Sequence, residues 1–439
     1  MGRFRPRLKH PSFHEPSQTQ LLVALCAARW RWLAAVLLLA LAGTTTAQEA
    51  LRYSLAGQDA AEARKRALEN ENYNLKMGPV KFRFSGALGI EATDNVRYTG
   101  GSPQADLIFR PQLNTFAQWR LTEKNSLSLG LGIGYEKFIN TADYDRFFIT
   151  PDTDLSFDIY AGDFLINLHD RFSYSSDVTA NPTITGTGSQ AHFGNTLGIR
   201  TVWDLNKAFL SASYDHQNYI SAESQFDNLT HSAELFTAAF GFQLRPTVQI
   251  GLQVGGGLLD YNAPLSQDNQ HISIGPFVSA QLSEYTSFRL SAGYVTYFLN
   301  AFGVTNAAST LDAYYVDGSL NQRVGQLLTH SLSIGRSLQP GLGSQFGAQV
   351  LDLWRIQYSA AWNVLRKTGV GTTFSFEHGT QGGVTGETFD RWGGGISFSR
   401  ALTKKASGSI GYQFYLRNSN IPTQDYTQNR LVLNVVYAF

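Results

Sequence analysis

The sequence predicts an all-β protein, a transmembrane antiparallel up-and-down β-barrel of about eighteen strands, with sixteen as the alternative. Three observations predict it. Charged residues make up 16% of the 439-residue chain, aromatics reach 13% and glycines number 41, a mixture too poor in charge for an ordinary soluble domain. Mean hydropathy is only −0.17, and beyond residue 47 no apolar run approaches the roughly 20 residues of a membrane helix. From Val80 almost to the C-terminus, apolar and polar residues alternate with period two, the signature of strands with two unlike faces.

The alternation is specific about those faces. Leu127, Leu129, Leu131, Ile133 and Tyr135 fall on one side; Ser128, Gly130, Gly132, Gly134 and Glu136 fall on the other. Val248, Ile250, Leu252 and Val254 repeat the pattern, as do Trp354, Ile356, Tyr358 and Trp362. In a soluble sandwich the apolar face would meet a second apolar face. Here the second face is glycine, serine and charge. A closed sheet with lipid outside and a polar interior satisfies both faces and leaves no unpaired edge.

Connections alternate short and long, as membrane barrels require. Tight turns are expected at 122–125, 161–163, 204–207, 245–247, 283–287, 325–328, 365–369 and 402–406. Longer loops are expected at 93–105, 140–153, 176–190, 220–230, 261–270, 300–312, 337–350, 379–387 and 418–426. Eighteen strands result, and both termini then lie on the periplasmic side. In the last strand Leu431, Leu433, Val435, Tyr437 and Phe439 share the outward face. Tyr437 and Phe439 are read as an assembly signal, similar to the aromatic–x–aromatic ending that the barrel-assembly machinery recognises. Asn434 and Val432 depart from that pattern.

Residues 1–47 read as a signal peptide. Arg29 and Arg31 precede the apolar run 33–42, and the small residues 44–47 follow. The only cysteine, Cys26, falls in this segment, so the exported chain has no thiol for disulfides, metal sites or catalysis. Residues 48–79 form a periplasmic N-terminal segment, partly helical or disordered, because 58–72 hold helix formers without an apolar stripe. The barrel occupies 80–439. Only about thirty residues precede it after cleavage, too few for the plug of an active importer or the passenger of an autotransporter. Removing 1–47 takes away six Lys/Arg and one acid, leaving 29 against 33 and a net charge of −4. That excludes the basic patch expected of a nucleic-acid partner.

Asn74-Leu75-Lys76-Met77-Gly78-Pro79-Val80, then Asp94-Asn95-Val96 and Asp106-Leu107-Ile108, resemble the start of the β-barrel porin 2 family over residues 74–120. The resemblance implies an outer-membrane barrel, in a family with some members associated with exopolysaccharide export, and carries no catalytic residue.

Alternation places Arg83, Arg110, Arg120, Arg200, Arg289, Arg323, Arg355, Arg391 and Arg417 on the luminal face. Lys81, Arg171 and Arg430 join them, with the acids Glu91, Glu136, Asp154, Asp158, Asp215, Asp317 and Glu377. Arginine's planar fork suits carboxylates and sugar hydroxyls, so one reading is a lining that favours anionic or sugar solutes. The other is that arginines pair with the acids and stiffen the wall. Among the histidines, His231-Ser232 and Asp215-His216 are sequence neighbours and face opposite ways, which argues against an enzyme. Asp143, Asp145, Asp152 and Asp154 read as solvated loop acids, so no metal or cofactor is expected. The expected function is a porin-like outer-membrane channel for small hydrophilic, anionic or sugar solutes. The alternative is a structural or exopolysaccharide-export barrel with a blocked lumen. Expected partners are membrane lipid and lipopolysaccharide, the assembly machinery, and small solutes or glycan.

Overall fold

Period-two alternation is realised as one closed antiparallel sheet. The computed structural model describes residues 73–178, 182–262, 268–300, 309–340, 350–382 and 386–439. The expected signal peptide 1–47, most of the expected N-terminal segment 48–79 and parts of five loops lie outside these residues. Every successive long strand pairs with the next, from Val80–Thr93 and Asp106–Arg120 round to Ala406–Ser419 and Tyr426–Ala438. The last strand returns to the first, Ser85 opposite Ala438 through Thr93 opposite Arg430. Counted round the wall, this is an eighteen-strand barrel, with Arg146–Ile149 and Asp154–Ala161 together filling one position.

Closure is shared by the two ends of the described chain. The stub Leu75–Met77 pairs with Val80–Phe82, so the sheet begins before Val80. Asn74 fixes the stub: its Nδ2 donates to Phe84 O (2.7 Å) and its Oδ1 accepts from Phe84 N (3.0 Å). Where the stub stops, the C-terminal strand takes over, and Phe439 N donates to Phe84 O. No edge of the first strand is left bare over this stretch, as hydrocarbon requires.

All eight turns join their strands where composition placed them. Gly162 and Gly325 supply the positive φ that two of them need. Strand ends reach into the expected loops 300–312 and 337–350, and a separate strand interrupts 140–153, expected to be loop throughout. Arg146–Ile149 is a strand there, paired with Ile133–Glu136. Four residues are too few for periodicity to show in sequence. The wall resumes at Asp154 after a break pinned by Thr153, whose Oγ1 accepts from Gly132 N (3.2 Å).

Exposure follows parity. Leu129, Ile133, Leu197, Phe240, Leu252, Ile274 and Leu433 are exposed outward, forming the apolar band that lipid demands. Trp119, Trp203, Trp362 and Phe398 border it toward the turns, and Phe236, Tyr294 and Trp392 toward the loops. Inside, many glycines lie under a ring from the adjacent strand: Phe209 over Gly241, Phe277 over Gly251, Tyr315 over Gly293 and Phe389 over Gly379. Cross-strand neighbours on one face stand only about 5 Å apart. A ring can therefore lie flat on the wall only where its neighbour has no Cβ.

Candidate functional site

The loop end of the lumen carries a belt of paired charge on nine successive strands. Glu91, 4% exposed, accepts from Arg430 Nε and Nη2 (2.7 Å each) and from Arg110 Nη1. Arg110 Nε donates to Glu136 (2.7 Å). Arg146 lies 3.8 Å from Glu136 and 3.5 Å from Glu223. On the other flank Glu377 accepts from Arg355 Nε (2.7 Å) and Arg391 Nε (2.6 Å). Arg417 is fully buried, with its guanidinium 4.2 Å above the Phe389 ring and 2.7 Å from Glu387. Six arginines thus meet five glutamates, and the belt nets one positive charge.

Loops fold inward onto this belt. Ser176 Oγ donates to Glu136 (2.9 Å), and Arg417 Nε donates to Pro182 O (3.2 Å). Glu223 accepts from Ala191 N (2.8 Å), Ser189 Oγ and Gln225 Nε2 (2.9 Å). Burial pushes the Glu223 carboxyl up, but these hydrogen bonds and Arg146 outweigh it and leave it below the ordinary glutamate value. Tyr98, Val178, Ile184, Leu229 and Tyr426 form an apolar plug core at this level. Tyr98 holds φ = 52°, a region that a bulky L residue adopts only when its surroundings force it. Its ring meets Tyr426 edge-on at 5.5 Å, and Gly186 N donates to its carbonyl (3.2 Å). Burial drives the Tyr98 phenol well above its usual pKa. A cavity of about 180 Å³ remains between plug and belt, lined by Glu91, Arg110, Glu136, Tyr98, Ser176 and Arg430.

The opposite wall is aromatic. His192, Tyr219 and His231 stack across three strands at 4.5 and 5.3 Å, Tyr261 on the next strand meets His231 at a 43° tilt (4.9 Å), and His271 stacks on Tyr297 at 5.0 Å. At its loop end the lumen is therefore charged on one side and ring-lined on the other.

Of the nine arginines that alternation placed in the lumen, the structure brings Arg110, Arg355, Arg391 and Arg417 into the belt. Arg83 lies over Phe116 (5.3 Å), Arg289 over Phe277 (5.5 Å) and Arg323 over Tyr285 (5.1 Å). Arg120 and Arg200 lie elsewhere on the wall, outside the belt. Arg146, Glu223, Glu387 and Tyr98 complete the site from segments without periodicity, where no sequence signal marked them. Two residues of the family-like stretch now have a physical task. Asn95 Nδ2 donates to Thr99 O (2.8 Å) and Thr427 O (2.9 Å), turning the first loop inward. Asp106 caps the second loop, accepting from Ile139 N (3.1 Å), Asn140 N (2.9 Å) and Thr141 N (2.9 Å). Asp215 and His216 do face opposite ways: Asp215 bonds His169 (2.7 Å) inside, and His216 bonds Glu234 (2.8 Å) outside. Tyr437 and Phe439 are exposed outward, with rings 5.6 Å apart.

No family model matches the chain, and no curated protein does. Among solved structures, OccAB3 of Acinetobacter baumannii is similar at 13% identity and a TM-score of 0.48, over 83% of this chain and 100% of that one. OpdK of Pseudomonas aeruginosa with vanillate (12%, TM-score 0.46) covers 82% of this chain and 99% of its own. OccK2 (OpdF) of Pseudomonas aeruginosa with glucuronate (12%, 0.46) covers 82% and 98%.

Proposed function

We propose that the protein is an outer-membrane channel of porin type for small hydrophilic solutes bearing carboxylates or hydroxyls. The observation that carries this reading is the Arg/Glu belt, a polar lining at the level where inward loops narrow a closed eighteen-strand barrel. A barrel of this size leaves an aqueous lumen around whatever loops occupy it. Planar guanidiniums whose partners are carboxylates can exchange those partners for a passing carboxylate or sugar hydroxyl. In this reading the outward band sits in lipid and lipopolysaccharide, residues 1–47 direct export, the turn end faces the periplasm, and the resemblance to the β-barrel porin 2 family fits the same placement.

The second reading, a structural or glycan-export barrel with a blocked lumen, draws on the plug around Tyr98. Planar-bilayer recording of the purified barrel separates the two. The channel reading expects conductance with a weak anion preference, because the belt nets only one positive charge, and a stronger preference at low salt. Swelling of proteoliposomes in simple sugars and uronic acids then tests the cargo. A barrel that inserts fully but passes no current would sink the channel reading.

A further inference from the structure

One stretch of wall does not follow the rest. Strands Ser309–Val324 and Leu328–Pro340 pair from Val324 opposite Leu328 up to Val316 opposite Arg336, and there their ladder stops. The flanking seams continue to the loops, Leu299 opposite Ser309 on one side and Pro340 opposite Val350 on the other. Above the break, parity and contact disagree. Leu338 and Val350 belong to the outward set, in register with Arg336 and Trp354. Leu338 is nevertheless only 5% exposed, clustered with Val295 and Tyr297, with Leu311, Ala313 and Val350 packed around it. Val295, Tyr297, Leu311 and Ala313 are luminal residues of the neighbouring strands. An outward face can touch a luminal face only if its own strand pair has swung inside. The described ends of strands Leu328–Pro340 and Val350–Leu365, around Leu338 and Val350, therefore overlap the inner wall like the edge of a scroll.

We propose that these two strand ends, the first from Arg336 onward and the second up to Trp354, form a movable wall flap that gates the outer mouth: tucked as seen here, and zipped into the wall when the ladder extends past Val316 and Arg336. The pivot is visible. Arg336, 6% exposed, pairs with Asp352 through Nε (3.2 Å) and Nη2 (2.8 Å) and lies against the Tyr314 and Trp354 rings. Gly335 stands directly below it, and small residues commonly sit at hinges. The two positions trade like for like. Tucking buries Leu338 and half-buries Val350; zipping adds backbone hydrogen bonds and returns those side chains to the outward band. Bistable packing of this kind is what switching elements use.

The proposal rests on the channel reading for its function but not for its geometry, and disulfide trapping reads the geometry alone. With Cys26 replaced by serine, Val295→Cys/Leu338→Cys should cross-link in the tucked position. Tyr314→Cys/Leu338→Cys should cross-link in the zipped position, because continuing the register sets 314 opposite 338. Both bonds, seen by mass spectrometry on folded, heat-modifiable barrel, support the flap even if no current flows. In bilayers the zipped bond should raise conductance by roughly 1.3-fold or more, the area ratio for a mouth of eighteen rather than about sixteen effective strands, and reductant should reverse it. A folded 314/338 variant that never cross-links under oxidant, while 295/338 does, would show fixed strand ends and overturn the proposal. So would a zipped bond in a conducting barrel whose current is unchanged.

Discussion

Glu91→Gln is the sharpest test of the belt. The carboxylate receives Arg430 twice and Arg110 once; Glu91 and Arg430 sit on the two strands that close the barrel, and Arg110 on the strand next to them. Breaking a buried pair by removing one partner costs about 3–5 kcal/mol. Glutamine keeps one acceptor, and Arg110 retains Glu136, so the expected loss is about 3 kcal/mol, at the lower end. Urea unfolding in lipid vesicles, followed by tryptophan fluorescence, should show it as a lower midpoint with an unchanged slope. The same variant leaves six arginines facing four glutamates in the belt, so its reversal potential should move toward anions, more at low salt. A stability loss under about 1 kcal/mol, the worth of an exposed ion pair, would mean that water already solvates these charges. The belt would then not be a structural unit.

Three further outcomes follow from the same geometry. The Glu223 carboxyl is depressed in the folded state, so its contribution is full above the unfolded value of about 4.3 and fades as pH falls through the lower folded value; proteolysis within 182–191 should be slow at neutral pH and speed up below about pH 4, and Glu223→Gln should remove that dependence. At Gly198 an added Cβ would stand 2.6 Å from His169 Nε2 and nearer still to Asp215 Oδ1, so Gly198→Ala should cost about 1–3 kcal/mol, whereas Gly194→Ala, whose closest neighbour is Ser173 Oγ at 3.3 Å, should cost little; equal effects would refute the steric account. Deleting Phe439 removes both a bond to Phe84 O and the ring beside Gly86, and should cut the yield of heat-modifiable barrel in cells; normal yield would deny it an assembly role.

Much of the fold was legible because lipid imposes a rule that sequence must obey at every second residue. Leu129, Leu252 and Leu433 had to face outward, so Glu91, Arg110 and Glu377 had to face in. Turn positions were legible for a similar reason, since glycine, asparagine and short polar runs are what tight reversals need. The site was legible only in part. Arg110, Arg355, Arg391 and Arg417 could be placed in the lumen, but their partners could not be assigned. Arg430 meets Glu91 across 339 positions of sequence because closure sets that register, and closure is a property of the whole sheet.

Loops escaped for the opposite reason. Tyr98, Glu223 and Glu387 lie in segments with no period, where the chain direction depends on what each residue meets after folding. Asn95 and Asp106 turn those segments inward, and they do so through bonds to Thr427 and to 139–141 that exist only once the barrel has formed. The tucked strand ends mark the boundary most clearly. Composition placed Leu338 in the loop 337–350, whereas the structure carries it on a strand and packs it against the luminal side chains of Val295 and Tyr297. For Leu338 the sequence supplied only an apolar side chain in an expected loop. The tertiary structure alone decided which apolar surface receives it, because burial has no direction until the strands are in place.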